Sequence, residues 1–166
     1  MAVDQIQDRF DCVTETPWSG IKLGLGFSNN LLTSVDFLSA DVETCQLSTA
    51  SQQLVIHQLD CYFSNPNHQF EIPLELKGTA FQVRVWNALR LIPAGETISY
   101  GELADRLASS ARAVGNACRA NRLPLVVPCH RVVAKSGLGG FMGQRQGGEI
   151  SIKRCLLLHE RAIDGG

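Results

Sequence analysis

The run Leu123-Pro124-Leu125-Val126-Val127-Pro128-Cys129-His130-Arg131-Val132-Val133 holds the side chains of this 166-residue chain with the clearest capacity for chemistry. A thiolate is a strong nucleophile, and neighbouring positive charge lowers the pKa of its thiol. His130 can serve as the base that takes the proton, and Arg131 or a helix N-terminus can add positive potential. Two prolines bracket an apolar stretch, which predicts that Leu125 to Val127 is extended and buried. Pro128 then fixes the backbone just before the Cys-His-Arg triplet. Two plainer readings compete: most single cysteines are structural, and adjacent side chains on a strand point to opposite faces.

The length suits one compact domain or two small ones with a real core. A composition of 45% apolar and 19% charged residues excludes a disordered chain, a collagen-like repeat and a disulfide miniprotein. The formal net charge of -1 argues at first against nucleic acid. It is uneven, however. Up to Gly78 ten acids face three bases, a net of -7; from Thr79 onward six acids face twelve bases, ten of them Arg, a net of +6. Such asymmetry points to a basic, nucleic-acid-facing C-terminal part beside an acidic module, with two ordinary solvated surfaces as the alternative.

The start, MAVDQIQDRF, has neither the basic nor the apolar stretch of a signal peptide, and no apolar run approaches the about 20 residues that span a bilayer. Six cysteines are scattered with no C-x-x-C pair, which argues against a zinc ribbon or a thioredoxin-type site. His57, Cys61 and His68 cluster only loosely and read as surface and core residues, so no metal is expected. An intracellular, reduced protein follows, its thiols mostly small buried hydrophobes.

In the first half, Ile21 to Phe27 and Leu32 to Leu38 read as strands around the turn Ser28-Asn29-Asn30. From Ser51 to Phe63, Leu54, Val55, Leu59, Tyr62 and Phe63 recur at helical spacing, and Asn65-Pro66 stops the run. Phe70 to Leu76 is a further strand or extended segment. Gly24 and Gly26 begin a G-x-G, but Asn29 stands where its third glycine belongs, which speaks against a dinucleotide site. Lys77-Gly78 is the expected linker, giving domains 1–77 and 78–166.

Thr79-Ala80-Phe81-Gln82 fits a capping box opening a helix with Phe81, Val85, Trp86 and Leu89 inward, ended by Ile92-Pro93-Ala94-Gly95. Ser99-Tyr100-Gly101-Glu102 is a second box, before a short helix with Leu103 and Leu107 as its core face. Ser109-Ser110 breaks that helix, and Ala111 to Asn121 reads as another. Two short helices and a tight turn suggest a helix-turn-helix, although any αα-hairpin looks the same. The last helix is slim: Ala111, Ala113, Gly115, Ala117 and Ala120 are small, while Arg112, Asn116 and Arg119 share one face. An ordinary helix is about 10–12 Å across and the minor groove only about 6 Å wide, so small side chains favour minor-groove docking. Close helix packing explains them equally well.

Pro128-Cys129-His130-Arg131-Val132 resembles the active-site motif of the O6-alkylguanine-DNA alkyltransferases. The resemblance extends through Gly78-Thr79-Ala80-Phe81-Gln82, Val85-Trp86-Asn87-Ala88-Leu89, Ile92-Pro93-Ala94-Gly95-Glu96-Thr97 and Ser99-Tyr100-Gly101-Glu102-Leu103-Ala104. It continues in Arg112-Ala113-Val114-Gly115, Ser136-Gly137 and Leu156-Leu157-Leu158-His159-Glu160. The first 76 residues match only in length and general α/β character. The resemblance implies an α+β fold: a small ribonuclease H-like α/β module, then a mainly helical, winged-helix-like domain with a helix-turn-helix.

It also implies a suicidal DNA repair protein in which Cys129 takes the alkyl group, mainly methyl, from O6 of a flipped-out guanine. His130 would deprotonate Cys129 through a water, and Glu160 would orient His130. Tyr100 would help rotate the nucleotide and donate to the departing base, and Asn121 would brace the turn before the active site. Arg112 would fill the vacated space, with Ala111, Ala113 and Gly115 in the minor groove and Arg119 and Arg122 on phosphates. Pro124, Gly139, Gly140, Phe141 and Met142 would line the pocket. No cofactor is implied. The partner it implies is double-stranded DNA, not a membrane, and a monomer in the cytoplasm, associated with its DNA, is expected, with cooperative loading on DNA left open.

Three positions depart from the family pattern: Arg122 follows Asn121 where Pro is usual, Met142 stands for a common Ser, and Phe141 for the usual Tyr. Methyl should fit the pocket and benzyl should fit poorly. Three other functions stay in view: a non-catalytic alkyltransferase-like lesion binder, a helix-turn-helix regulator, and a Cys-His hydrolase.

Overall fold

The computed structural model describes residues 9–144 and 147–165. The architecture is mixed α/β, in two compact units, Met1–Glu75 and Leu76–Gly166. The break falls two residues before the 77/78 boundary suggested by composition.

The first unit is an antiparallel sheet in the order β1-β2-β3, with β1 Cys12–Glu15, β2 Ile21–Ser28 and β3 Leu31–Ser39. Asn29 (φ 49) and Asn30 (φ 64) join β2 to β3 in the left-handed region that a two-residue hairpin turn needs and that Asn tolerates. Strand β1 is short and follows no clear alternation, which hid it in the sequence. The G-x-G serves packing: a Cβ on Gly24 would meet the Phe10 ring at 2.7 Å, so the glycine admits Phe10 to the sheet face. Phe10, Val13 and Val42 form a buried cluster with Leu38 and Cys45 against it.

Helix α1, Ala50–Ser64, starts at a capping box of Thr49 and Gln52 that the sequence reading missed. It buries Val55, Leu59 and Tyr62, whereas Leu54 points outward, 38% exposed. Segment 70–76 is extended. It contacts β3 through Leu32, whose N–H donates to the Pro73 carbonyl at 3.0 Å and whose carbonyl accepts from Glu75 at 3.0 Å.

The second unit begins with α2, Ala80–Leu89, capped as expected by Thr79 and Gln82. Val85, Trp86 and Leu89 are buried and Phe81 only half-buried. Helix α3, Tyr100–Arg106, has the second expected box, Ser99 with Glu102. Helix α4, Ala111–Arg119, is capped by Ser110 and ends two residues before Asn121. It packs inward through Val114, Ala117 and Cys118, and Trp86 Nε1 donates to the Ala117 carbonyl at 2.8 Å. Strands β4, Ile98–Ser99, and β5, Val132–Val133, pair in parallel. That pairing sets Tyr100, the first residue of α3, beside the chain that leaves Cys129. Helix α5, Gly148–His159, completes the unit. Among the described residues no helix is long and apolar enough to cross a membrane.

Thr79 Oγ1 accepts from Gln82 N at 3.2 Å and Gln82 Oε1 accepts from Thr79 N at 2.9 Å. Removing an N-cap hydroxyl costs about 1 kcal/mol. Thr79→Ala should lower the unfolding free energy of the second unit by that amount in a urea titration; an unchanged midpoint would show that the cap contributes nothing.

Candidate active site

The path into Cys129 is a pair of tight turns, not a strand. Val127 N–H donates to the Leu123 carbonyl at 2.8 Å, closing a buried turn in which Leu125 has φ 74. The expected extended segment is therefore wrong in conformation, though right in burial. A left-handed Leu costs about 1–2 kcal/mol and persists only where neighbours impose it. Asn121 imposes it from both ends: its Oδ1 accepts from Leu123 N at 3.0 Å and its Nδ2 donates to the Val127 carbonyl at 2.9 Å.

Pro128 (φ -81, ψ 66) is the centre of the second turn, where Cys129 N–H donates to the Val127 carbonyl at 2.8 Å. These angles are those of an inverse γ-turn, whose central residue needs no N–H and whose φ suits the pyrrolidine ring. Cys129, His130 and Arg131 follow as one 3-10 turn, all buried.

Behind Cys129 lies a cluster of buried charge. His130 Nε2 donates to Glu160 Oε1 at 2.9 Å, and Arg131 grips the same carboxylate through Nε (3.0 Å) and Nη2 (2.8 Å). Arg131 Nη1 donates to the Ile92 carbonyl. The expectation that Arg131 lends its potential to Cys129 is corrected: its guanidinium is committed to Glu160 and Ile92. Burial pushes the Glu160 carboxyl up, but the hydrogen bonds from His130 and Arg131 prevail and hold it at about 2. Burial pushes His130 down, against the pull of Glu160, so the imidazole is neutral. With Nε2–H committed to Glu160, Nδ1 carries the lone pair; it is buried and has no hydrogen-bond partner. The Cys129 thiol is raised by burial, while a hydrogen bond from Asn121 and the charge of Lys153 act to lower it.

Lys153 was missed in the sequence. It is 0% exposed, and its Nζ donates to the carbonyls of Val132 (2.6 Å) and Gly140 (2.9 Å) and sits 5.9 Å from the Tyr100 ring centroid. Burial lowers it to about 8, so it is still a cation at neutral pH. The available signal was its place between Ile150 and Leu157, on the apolar stripe of α5. Tyr100 O–H donates to the same Gly140 carbonyl at 3.3 Å, and burial raises its pKa, keeping the hydroxyl protonated.

The loop beyond is also a hairpin turn. Phe141 and Gln144 exchange two backbone hydrogen bonds around Met142 (φ 50) and Gly143 (φ 83), the pattern of a type I′ turn. A Cβ on Gly143 would meet Arg119 Nε at 2.8 Å, so only glycine lets that side chain lie across the turn.

A cavity of about 420 Å³ in this unit is lined by Tyr100, Cys118, Cys129 and Phe141, by Gly140 and Met142 of the loop, and by α4. Its volume is within the range of small-ligand sites. From α4 come Ala111, Arg112, Gly115, Asn116 and Arg119. Ala113 is half-buried and Arg122 exposed, and neither lines the cavity; Pro124 and Gly139 do not line it either. A Cβ on Gly115 would meet nothing within 4 Å, so its smallness is not demanded by packing within the chain. Among the described residues no group of three or more His, Cys, Asp or Glu could hold a metal; His57 and Cys61 stand 3.7 Å apart as a pair.

Residues 80–162 match the family described as 6-O-methylguanine DNA methyltransferase, DNA binding domain. The methylated-DNA–protein-cysteine methyltransferase of Mycobacterium tuberculosis is 47% identical over 110 residues, 64% of this chain and 64% of that protein. The chain thus matches somewhat under two thirds of that relative's length. The crystal structure of a variant of the Mycobacterium tuberculosis O6-methylguanine methyltransferase superposes with a TM-score of 0.75 at 36% identity, covering 93% of each chain. That of Mycobacterium tuberculosis OGT in complex with DNA gives 0.67 at 37% identity, covering 85% of this chain and 87% of that one.

The depressed Glu160 carboxyl fixes a pH signature. A group whose folded pKa lies below its unfolded value stabilises the fold above the ordinary carboxylate range and loses that contribution as pH falls through the folded value. Breaking a buried ion pair costs about 3–5 kcal/mol. Glu160→Gln should therefore destabilise the protein by that order at neutral pH. The gap to wild type should shrink between about pH 4.5 and about pH 2. A gap that stays constant over this range in parallel urea titrations would refute the assignment.

Proposed function

Because the chain belongs to the O6-methylguanine DNA methyltransferase family, we propose that it repairs alkylated DNA by moving the alkyl group of O6-alkylguanine, chiefly methyl, onto its own Cys129, once per protein molecule. One observation carries the reading: Cys129 lines the same cavity as Arg112 and Arg119 of α4, with the His130–Glu160 pair hydrogen-bonded next to it in the chain.

In this reading α3 and α4 are a helix-turn-helix within a winged-helix-like domain, and the first unit is a ribonuclease H-like support. Duplex DNA lies along α4 by its minor groove. The open space around Gly115 supports this, since close packing inside the chain gives no reason for a glycine there. Ala111 and Ala113 keep the helix slim, Arg112 enters the stack in place of the extruded guanine, and Arg119 and Arg122 contact phosphate. Extruding a nucleotide costs a few kcal/mol, least where pairing is already weakened by the lesion.

Cys129 and His130 both rest in their neutral forms, so the thiol needs its proton removed at the moment of reaction. His130 Nδ1, buried with its lone pair uncommitted, takes that proton through a water, and Glu160 stabilises the imidazolium. Sγ then attacks the alkyl carbon, the S–C bond forming as the C–O6 bond breaks. Tyr100 donates to the leaving guanine, and the proton lost by the thiol balances the one guanine gains. Asn121 and Lys153 favour the thiolate while it exists. The product is a thioether, so no cofactor is consumed and Cys129 is not regenerated. The reading needs one chain per lesion and puts the protein with its DNA, inside the cell. Phe141 and Met142 narrow the pocket to suit methyl over benzyl.

Incubation with a duplex containing O6-methylguanine should leave the peptide containing Cys129 one methyl group heavier, at one per protein. Cys129→Ala should abolish transfer while leaving binding. His130→Gln should slow transfer about 10²–10⁴-fold. Methyl removal by Cys129→Ala would sink the proposal, and binding without any protein methylation would point to a lesion-binding protein instead.

Three arginines set against the duplex, Arg119 and Arg122 on phosphate and Arg112 in the stack, further require log affinity to fall with log salt with a slope of about -2 to -3. Replacing Arg119 or Arg122 by Ala should each shallow it by about 1. Affinity independent of salt would remove these arginines from the interface.

A further inference from the structure

Strand β1 is the edge of the first unit's sheet, and the segment after β3 returns to it. Cys45 donates its backbone N–H to the Val13 carbonyl at 3.4 Å, and Val13 donates its own N–H to Cys45 Sγ at 2.8 Å. The Val13 nitrogen is three bonds from Cys12 Cβ, so this contact draws the Cys45 sulfur alongside the Cys12 side chain. Cys45 Sγ also lies 4.0 Å from the Asp11 carbonyl, on the residue before Cys12, so two backbone contacts flank Cys12 with the Cys45 sulfur. The pair is unequal in access: Cys12 is 0% exposed, whereas Cys45 is half-buried. Burial, then Cys45 and Asp11, push the Cys12 thiol up to about 12, so it does not start a reaction with solvent reagents. Neither sulfur has a part in the chemistry of Cys129.

We propose that Cys45 and Cys12 form a hydroperoxide-responsive thiol pair, in which Cys45 is oxidised first and Cys12 resolves it into a disulfide across the edge of the sheet. The steps balance with a hydroperoxide as the sole oxidant. The Cys45 thiol takes one oxygen from the hydroperoxide, leaving the corresponding alcohol and a Cys45 sulfenic acid. The Cys12 sulfur then attacks the Cys45 sulfur, the S–O bond breaks, and hydroxide departs with the Cys12 proton as water. What Cys12 lacks in thiolate character it gains from proximity, since Cys45 Sγ is held against the Val13 N–H, three bonds from Cys12 Cβ. The disulfide would pin the returning segment to an edge strand that otherwise holds it by weak contacts, closing the edge against detachment.

The test uses the full chain with all six cysteines in place. The protein is treated with stoichiometric tert-butyl hydroperoxide, its remaining thiols are blocked, and it is digested without reductant for mass spectrometry. The expected product is a peptide pair joining Cys12 to Cys45, lighter by two hydrogens than the separate thiol peptides and released by dithiothreitol. Cys45→Ser, which keeps an acceptor for the Val13 N–H, should lose the pair and leave Cys12 a free thiol. Cys12→Ala should arrest Cys45 as a sulfenic acid that dimedone captures; should that buried substitution prevent folding, the wild-type and Cys45→Ser results decide alone. Three results would overturn the proposal: no oxidation at Cys45, a Cys45 sulfinic acid with Cys12 still free, or a linkage confined to Cys118 and Cys129.

Discussion

A carboxylate buried to 3% exposure, Glu160, dictates much of the second unit. An ion taken out of water is tolerable only if its oxygens are fully satisfied, and the desolvation cost of several kcal/mol falls due at folding. Glu160 gathers three donors, two from Arg131 and one from His130, and Arg131 in turn anchors on the Ile92 carbonyl. The end of α5, the 3-10 turn and the turn after α2 are thereby joined around one charge. The same arrangement decides the chemistry. Because Glu160 claims Nε2–H, the basic nitrogen of His130 is Nδ1, and because both groups are buried, neither His130 nor Cys129 is ionised at rest. In the proposed reaction, reactivity is kept latent by burial and released by a proton transfer that Glu160 stands ready to compensate.

The small residues of α4 had two equally good explanations in the sequence, and the structure divides them by face. Ala117, with Val114 and Cys118, is buried, and its carbonyl accepts the Trp86 indole; there smallness serves packing. Gly115 and Ala111 turn to the cavity side with Arg112 and Arg119, and around Gly115 there is room that nothing in the chain fills. One nine-residue helix is therefore slim for two reasons on two sides.

What was legible in the sequence was local and obeyed backbone rules. Both expected capping boxes formed, because Thr79–Gln82 and Ser99–Glu102 satisfy orphan N–H groups whatever surrounds them. What was hidden depended on tertiary partners. A lysine reads as a solvated charge, so Lys153 gave no sign that two carbonyls of distant segments would take it in. Arg131 read as an electrostatic aid to its neighbour two residues away, whereas its partner stands 29 residues on. Leu125 read as extended because prolines flank it, and the Val127-to-Leu123 bond with the two-ended grip of Asn121 reverses that preference.

That grip also bears on the position after Asn121, where Arg122 replaces a usual proline. Proline would stiffen this hinge by limiting φ, an effect exerted mainly on the unfolded chain. Here the folded turn is already determined by the Asn121 amide, by the Val127-to-Leu123 bond and by the inverse γ-turn at Pro128. Arg122 is exposed and takes no part in these bonds, so the side chain is free to serve the surface while the backbone keeps its course. Met142 is the opposite case. It occupies a left-handed position in the type I′ turn, where a long side chain gains nothing from the backbone, and it lines the cavity. Of these two positions, Met142 therefore bears on the shape of the cavity, and Arg122 on the charge of the exposed surface.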